Sequence, residues 1–181
     1  MKDMREVQTG SEQIFHGRIL DVYRDTVRLP DGKPATRELI RHNGAVAIVP
    51  LTDDGKVIIE YQFRYPHDEV LLEIPAGKLD KPGENPDEAA ARELKEETGF
   101  TARELIPMGY YIPTSAYSSE KIWLYLAKGL VAGDQQLDEG EFLEFTAMPL
   151  DDLVKEILAG NVPDGKTQAA VMRVWAMEKG I

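Results

Sequence analysis

Within the six residues Arg92-Glu93-Leu94-Lys95-Glu96-Glu97, three carboxylates and a guanidinium are spaced in a way that could do chemistry. On a helix, Glu93 and Glu97 stand one turn apart and project from the same side, with Glu96 beside Glu97 and paired by spacing with Arg92. Like charges at i,i+4 repel, and the C-terminal end of a helix disfavours anions. Bound cations would explain why a chain keeps so unfavourable a cluster. Hard carboxylate oxygens suit Mg²⁺ or Mn²⁺ rather than Zn²⁺. Taken alone, E-x-x-E-E is also what a solvated helix face looks like, so the surroundings must decide.

The spacing predicts a helix from about Pro86 to Thr98. Asn85 is a candidate N-cap, Pro86 fits the first helical position, Glu88 follows the cap by three, and Gly99 fits the C-terminal stop. Upstream, the apolar run Ala45 to Leu51, the turn Asp53-Asp54-Gly55 and VIIEYQF read as a hairpin. Glu69 to Ile74 reads as a strand stopped by Pro75, and residues 76–85 as a loop. Downstream come strands at Gly109–Ile112, Lys121–Ala127 and Phe142–Met148, then amphipathic helices near Asp151–Ala159 and Thr167–Glu178. Residues 14–42 form a small antiparallel unit around Leu29-Pro30-Asp31-Gly32-Lys33, and residues 1–11 read as frayed. The expected organisation is an N-terminal β unit, 1–43, and a main α/β domain, 44–181, with a mixed sheet covered by helices on both faces.

Twenty-one Lys and Arg against 32 Asp and Glu give a net charge of −11, which argues against nucleic acid as a partner. It leaves room for a small anionic substrate bridged to carboxylates by metal ions. The absence of cysteine excludes disulfides, thiolate metal sites and cysteine nucleophiles, and fits a reducing compartment. The N-terminus has no apolar signal region and no run approaches the roughly 20 residues that span a bilayer. The expectation is a soluble, cytoplasmic protein without a membrane partner.

Residues 77–100 resemble the Nudix box, G-x5-E-x7-R-E-U-x-E-E-x-G-U, with U a bulky apolar residue. Gly77 opens it, Glu84 follows, and after seven residues comes Arg92-Glu93-Leu94-Lys95-Glu96-Glu97-Thr98-Gly99-Phe100. Six residues rather than five separate Gly77 from Glu84. The extra residue falls in Asp80-Lys81-Pro82-Gly83, leaves the helix register intact and bears mainly on the placement of Glu84. The flanks Glu73-Ile74-Pro75-Ala76-Gly77 and Gln62-Phe63-Arg64 are similar to those of ADP-ribose pyrophosphatases and related nucleotide-sugar hydrolases.

The resemblance implies an α/β/α sandwich and a Mg²⁺-dependent hydrolase, with Mn²⁺ a possible substitute. By likeness, the metal ligands would be Glu93, Glu97, Glu96 and the carbonyl of Ala76, with Arg92 in the catalytic cluster. Arg64 would grip the substrate's diphosphate, with Arg37 a second candidate; each arginine by itself also reads as a surface ion-pair partner. The ions would neutralise the diphosphate and acidify the attacking water, whose proton a carboxylate removes. In similar enzymes that base comes from a loop after the box. Here Asp138-Glu139-Gly140-Glu141-Phe142 resembles it, with Glu141 the first choice, Glu139 the second, and a plain acidic turn the alternative.

Where ADP-ribose pyrophosphatases carry a Ser-Pro-Gly-Phe type segment, this chain has Thr114-Ser115-Ala116-Tyr117-Ser118-Ser119-Glu120, with Glu120 a substrate-binding candidate. ADP-ribose therefore leads only narrowly over a GDP- or UDP-hexose. A non-catalytic nucleotide-sensing module is the alternative from another class, disfavoured because Glu93, Glu96 and Glu97 are all present. The N-terminal unit resembles the element through which such enzymes form homodimers.

Overall fold

The structure, a computed structural model, describes residues 3–80, 82–137 and 140–181. In chain order its elements are β1 (Val7–His16), β2 (Asp21–Arg28), β3 (Pro34–Arg41), β4 (Ala45–Pro50), β5 (Lys56–Arg64), β6 (Glu69–Glu73) and β7 (Ala76–Lys78). After these come α1 (Pro86–Thr98), β8 (Thr101–Tyr111), β9 (Ile122–Val131), β10 (Leu143–Pro149), α2 (Leu150–Ala159) and α3 (Gly165–Lys179). They divide into two compact units, one reaching to Gly44 and including Thr114–Glu120, the other formed by Ala45–Pro113 and Lys121–Ile181.

The first unit is the antiparallel sheet β1-β2-β3. Residues 7–11, read from sequence as frayed, are the first half of β1. Their polar side chains gave no alternation, yet their backbone pairs with β2 from Val7↔Arg28 onward. Thr114–Glu120 joins this unit through Ile40 N–H donating to Tyr117 O at 2.8 Å and Ser119 N–H donating to Ile40 O at 3.0 Å. Among its described residues the buried charge, Asp25, is partnered. Asp25 accepts from Ser11 Oγ at 2.6 Å and from Arg41 at 3.3 Å, and Arg41 lies 3.9 Å from the centre of the Tyr23 ring.

The second unit holds two sheets, β7-β4-β9-β8 and β10-β5-β6. Only β4 and β9 run parallel, so the first of these sheets is mixed. Strand β4 explains the layering, because all six of its residues are buried. Ala45, Ala47 and Val49 enter one apolar core with β9, α2 and α3, while Val46 and Ile48 enter another with Ala89, Ala90 and Leu94 of α1. Alternate side chains of a strand point to opposite faces, so a continuous apolar run marks a strand covered on both. Helices α2 and α3 take one face and α1 the other.

The expected hairpin of Ala45–Leu51 with VIIEYQF does not form: β4 pairs with β7 and β9, β5 with β6 and β10, and an isolated bridge, Leu51↔Val57, joins the two arms at the turn. Element boundaries also differ from the sequence reading. The stretch 76–85 is not all loop: Ala76–Lys78 forms β7 and pairs with Ala45–Ala47. Strand β8 begins eight residues before Gly109 because Pro107 is tolerated next to a register shift between Pro107 and Tyr110, the kind of irregularity that accommodates proline in a sheet.

Candidate active site

Helix α1 starts and stops where its sequence dictates. The Asn85 side chain accepts from Asp87 N–H, Pro86 opens the first turn, and Gly99 closes the helix at φ 74° with its N–H on Lys95 O. Burial of Ala89, Ala90 and Leu94 fixes the helix rotation. Leu94 alone contributes about 2 kcal/mol by leaving water. With that face committed to the core, Glu93 and Glu97 turn toward β7. Glu97 Oε2 accepts from Ala76 N–H at 2.8 Å. The Glu93 carboxylate lies over Gly77 so closely that a Cβ there would stand 1.9 Å from its carboxyl carbon. Glycine opens the box because that space belongs to a carboxylate.

Arg92 ties the cluster together, pairing with Glu93 at 2.8 Å and Glu96 at 2.9 Å and lying 3.6 Å from Asp80 and 3.7 Å from Glu84. Burial works against its charge, but this carboxylate ring, Glu93 foremost, holds it above the ordinary guanidinium value. Despite the extra residue before it, Glu84 is therefore beside Arg92, and it also accepts from Asp80 N–H.

Beneath the helix the structure adds three groups to which the sequence reading assigned no role: Glu60, Glu73 and Lys166. Glu60 on β5 stands opposite Glu73 on β6, and both are shut away from water. Glu73 takes the cations. Arg64 grips it through two bonds of 2.6 Å, and Lys166 at the start of α3 donates to Oε2, the oxygen that Arg64 Nη2 also holds. Burial alone would raise Glu73, but these two partners hold it below the usual range. Glu60 keeps none: neither carboxylate oxygen has a hydrogen-bond partner among the described residues. A single acid inside the apolar run VIIEYQF was the available signal for Glu60; nothing local marks Lys166, which meets Glu73 across 93 positions of sequence.

The electrostatics follow from this crowding. Burial first, then Glu96 and Glu141, raise Glu93 to about 7 against the pull of Arg92. Burial, Glu60 and Glu93 push Glu97 far above the carboxylate range, opposed by the Ala76 N–H. Glu141 is exposed at the mouth of β10, and its charge is felt by Glu60, Glu93 and Glu97 alike. Glu139 lies outside the described residues. Arg37 and Glu120 belong to the other unit. There Arg37 is clamped by Glu6, at 2.9 Å through Nε, and Glu120 lies 3.8 Å from His42.

The end of α1 is anchored to the segment that leads to Glu141. Gln136 N–H donates to Glu96 O at 2.9 Å, Gln135 donates to Glu97 O, and a Cβ on Gly99 would stand 2.5 Å from Gly133 O.

Among the described residues no three acidic side chains already converge tightly enough to cage an ion. The donor set still fits a hard divalent cation. Glu60, Glu73 and Glu97 are buried and Glu93 and Glu96 half-buried, the carboxylates outnumber their cations, Gly77 leaves room over Glu93, and Glu60 has two orphaned oxygens.

The NUDIX domain model matches residues 41–171, and a model described as the nucleoside diphosphate sugar hydrolase N-terminal domain matches residues 6–40. An ADP-ribose pyrophosphatase of Bacillus subtilis is 41% identical over 94% of this chain and 93% of its own. A methanol dehydrogenase activator of Bacillus methanolicus is 38% identical over 98% and 96%. The crystal structure of an ADP compounds hydrolase superposes with a TM-score of 0.85 at 26% identity, covering 99% of each chain. The match runs through the box helix, the strands beneath it and the layers that cover both, and on that ground this protein belongs to the Nudix hydrolase family.

Proposed function

We propose that this protein hydrolyses the diphosphate bond of a nucleoside diphosphate sugar, releasing a nucleoside monophosphate and a sugar phosphate. ADP-ribose is the leading substrate, supported by the relatives named ADP-ribose pyrophosphatase, and GDP- or UDP-hexoses come next. The observation that carries the reading is the seating of Glu93 and Glu97 against Ala76 and Gly77, with Arg64 of β5 held by Glu73, three residues before Ala76. Mg²⁺, or Mn²⁺ in its place, would be held by Glu93, Glu97, Glu96 and the Ala76 carbonyl. The chemistry such an ion would supply is charge neutralisation on the diphosphate and a lowered pKa for the attacking water.

The chain's own groups do the rest. Arg64 presents its free edge to the diphosphate, its plane fixed by the two bonds to Glu73. Arg92 holds Glu93 and Glu96 in register. Glu141 removes the proton of the water that attacks phosphorus, a role Glu139 would take if Glu141 does not. Arg37 and Glu120 are assigned to the rest of the nucleotide sugar.

The protein acts as a homodimer. Every residue of β1 is exposed, and Val7, Ile14, Phe15 and Ile19 lie open on or just after that edge strand, an arrangement a second chain would cover. Among the described residues no helix is long and apolar enough to cross a membrane. A cytoplasmic location is supported by the lack of cysteine. Incubation with Mg²⁺ and a panel of ADP-ribose, UDP-glucose, GDP-mannose and dinucleoside polyphosphates, with products identified by mass, tests the assignment. Turnover confined to the dinucleoside polyphosphates would defeat it.

A further inference from the structure

The shared character of Glu60 and Glu73 makes their difference informative. They face each other across adjacent antiparallel strands, where like charges are unfavourable. Both are fully buried, at 0% and 1% exposure. The two nearby cations could have been divided between them, yet Arg64 and Lys166 both bond to Glu73. Glu60 feels these cations only at a distance, while Glu97 is bonded to Ala76, three residues past the strand partner of Glu60, and the charge of Glu60 raises it. The same face of β5 continues to Gln62 and Arg64, two and four residues on, so Glu60 sits in the row of side chains that includes the proposed diphosphate grip. A buried carboxylate with no hydrogen bond is strongly unfavourable, and native proteins keep few such groups. Packing alone would be served better by valine or isoleucine, as at Val57, Ile58 and Ile59 on the same strand.

We infer that Glu60 is an additional metal-holding carboxylate of this site: its orphaned oxygens, on the strand paired with the one that leads into the Ala76 contact of Glu97, bind a divalent ion together with Glu97, directly or through one water. This rests on the reading of the box glutamates as metal ligands and adds a ligand from outside the box. Glu73 then has a separate duty. By holding both Arg64 and Lys166 it keeps those cations from neutralising Glu60, which stays available to the ion.

The test is Mn²⁺ binding to the full-length protein without substrate, counted from the free-ion signal in electron paramagnetic resonance. The variants are Glu60→Gln, Glu60→Leu and Glu97→Gln. Glu60→Gln and Glu60→Leu should each weaken Mn²⁺ binding by about 10-fold or more. In chelator, Glu60→Leu should melt at or above the wild-type temperature, because it removes an unpaired buried charge. Its Mn²⁺-induced rise in melting temperature should shrink. Lost binding in Glu97→Gln with full binding in both Glu60 variants overturns the assignment of Glu60 alone. Full binding in all three defeats the metal reading of the box and this inference with it. A Glu60→Leu protein that melts well below wild type in chelator would show that Glu60 is a structural group, which also overturns the proposal.

Discussion

Asp25 and Glu60 are both strand carboxylates removed from water, and the two units treat them in opposite ways. Asp25 in the N-terminal sheet has a hydroxyl and a guanidinium, and that arginine is itself stacked on a tyrosine. Glu60 in the second unit has no hydrogen bond, although two cations lie close by and are bound to its neighbour. A buried charge that serves the fold is given partners by the fold. One left without them points to a partner that arrives from solution, and in this protein that charge is Glu60, whose field reaches Glu97 in the box helix.

The contrast is sharpest if single substitutions separate activity from stability. Glu97→Gln should reduce turnover on the order of 10³-fold or more while the thermal midpoint in chelator holds or rises. A variant that kept near-wild-type turnover would contradict the assignment. Arg64→Lys should reduce kcat/KM by roughly 10- to 100-fold, since an ammonium cannot reproduce the two-pronged bond to Glu73 or the planar fork offered to a diphosphate. Steady-state kinetics on ADP-ribose would measure this.

A third expectation concerns pH. Glu93 stands at about 7 in the fold, above the ~4.3 of an unstructured glutamate, so near neutrality the fold retains a proton that the unfolded chain has released. The stability this contributes is complete below about pH 4 and is lost as pH rises through about 7. Glu60 and Glu97 are displaced in the same direction. The metal-free melting temperature should therefore fall between about pH 5 and pH 8. Added Mg²⁺ should restore it most at the alkaline end, measured by scanning calorimetry with and without chelator. The smallest effect is expected in the other unit. Asp25→Asn should lose about 1 kcal/mol of stability, from weakening one charge-assisted network, with kcat unchanged in the denaturant-free assay.

The helix that carries the chemistry was legible because its information is local. Asn85, Pro86 and Gly99 mark the ends, and the apolar positions fix which face is buried, so the range 86–98 emerges from neighbours in sequence. The layering was legible for a similar reason, since a strand as apolar as β4 must be covered twice. What escaped was non-local. The pairing of residues 7–11 depends on β2, and β7 is defined only by lying against β4. Glu73 and Lys166 come together only when β6 meets the start of α3. A lone glutamate in an apolar strand signals something odd, but which cations it lacks is decided by strand register and by a helix about a hundred residues away in sequence.

The bonds from Gln135 and Gln136 to the last carbonyls of α1 place the proposed proton acceptor on a leash. Glu141 is five positions on from Gln136, so even a fully stretched chain keeps it within roughly 17 Å of that anchor. The anchor is the very helix end that bears Glu96 and Glu97. Lengthening or shortening this tether would alter the timing of proton removal without touching any group that meets the substrate.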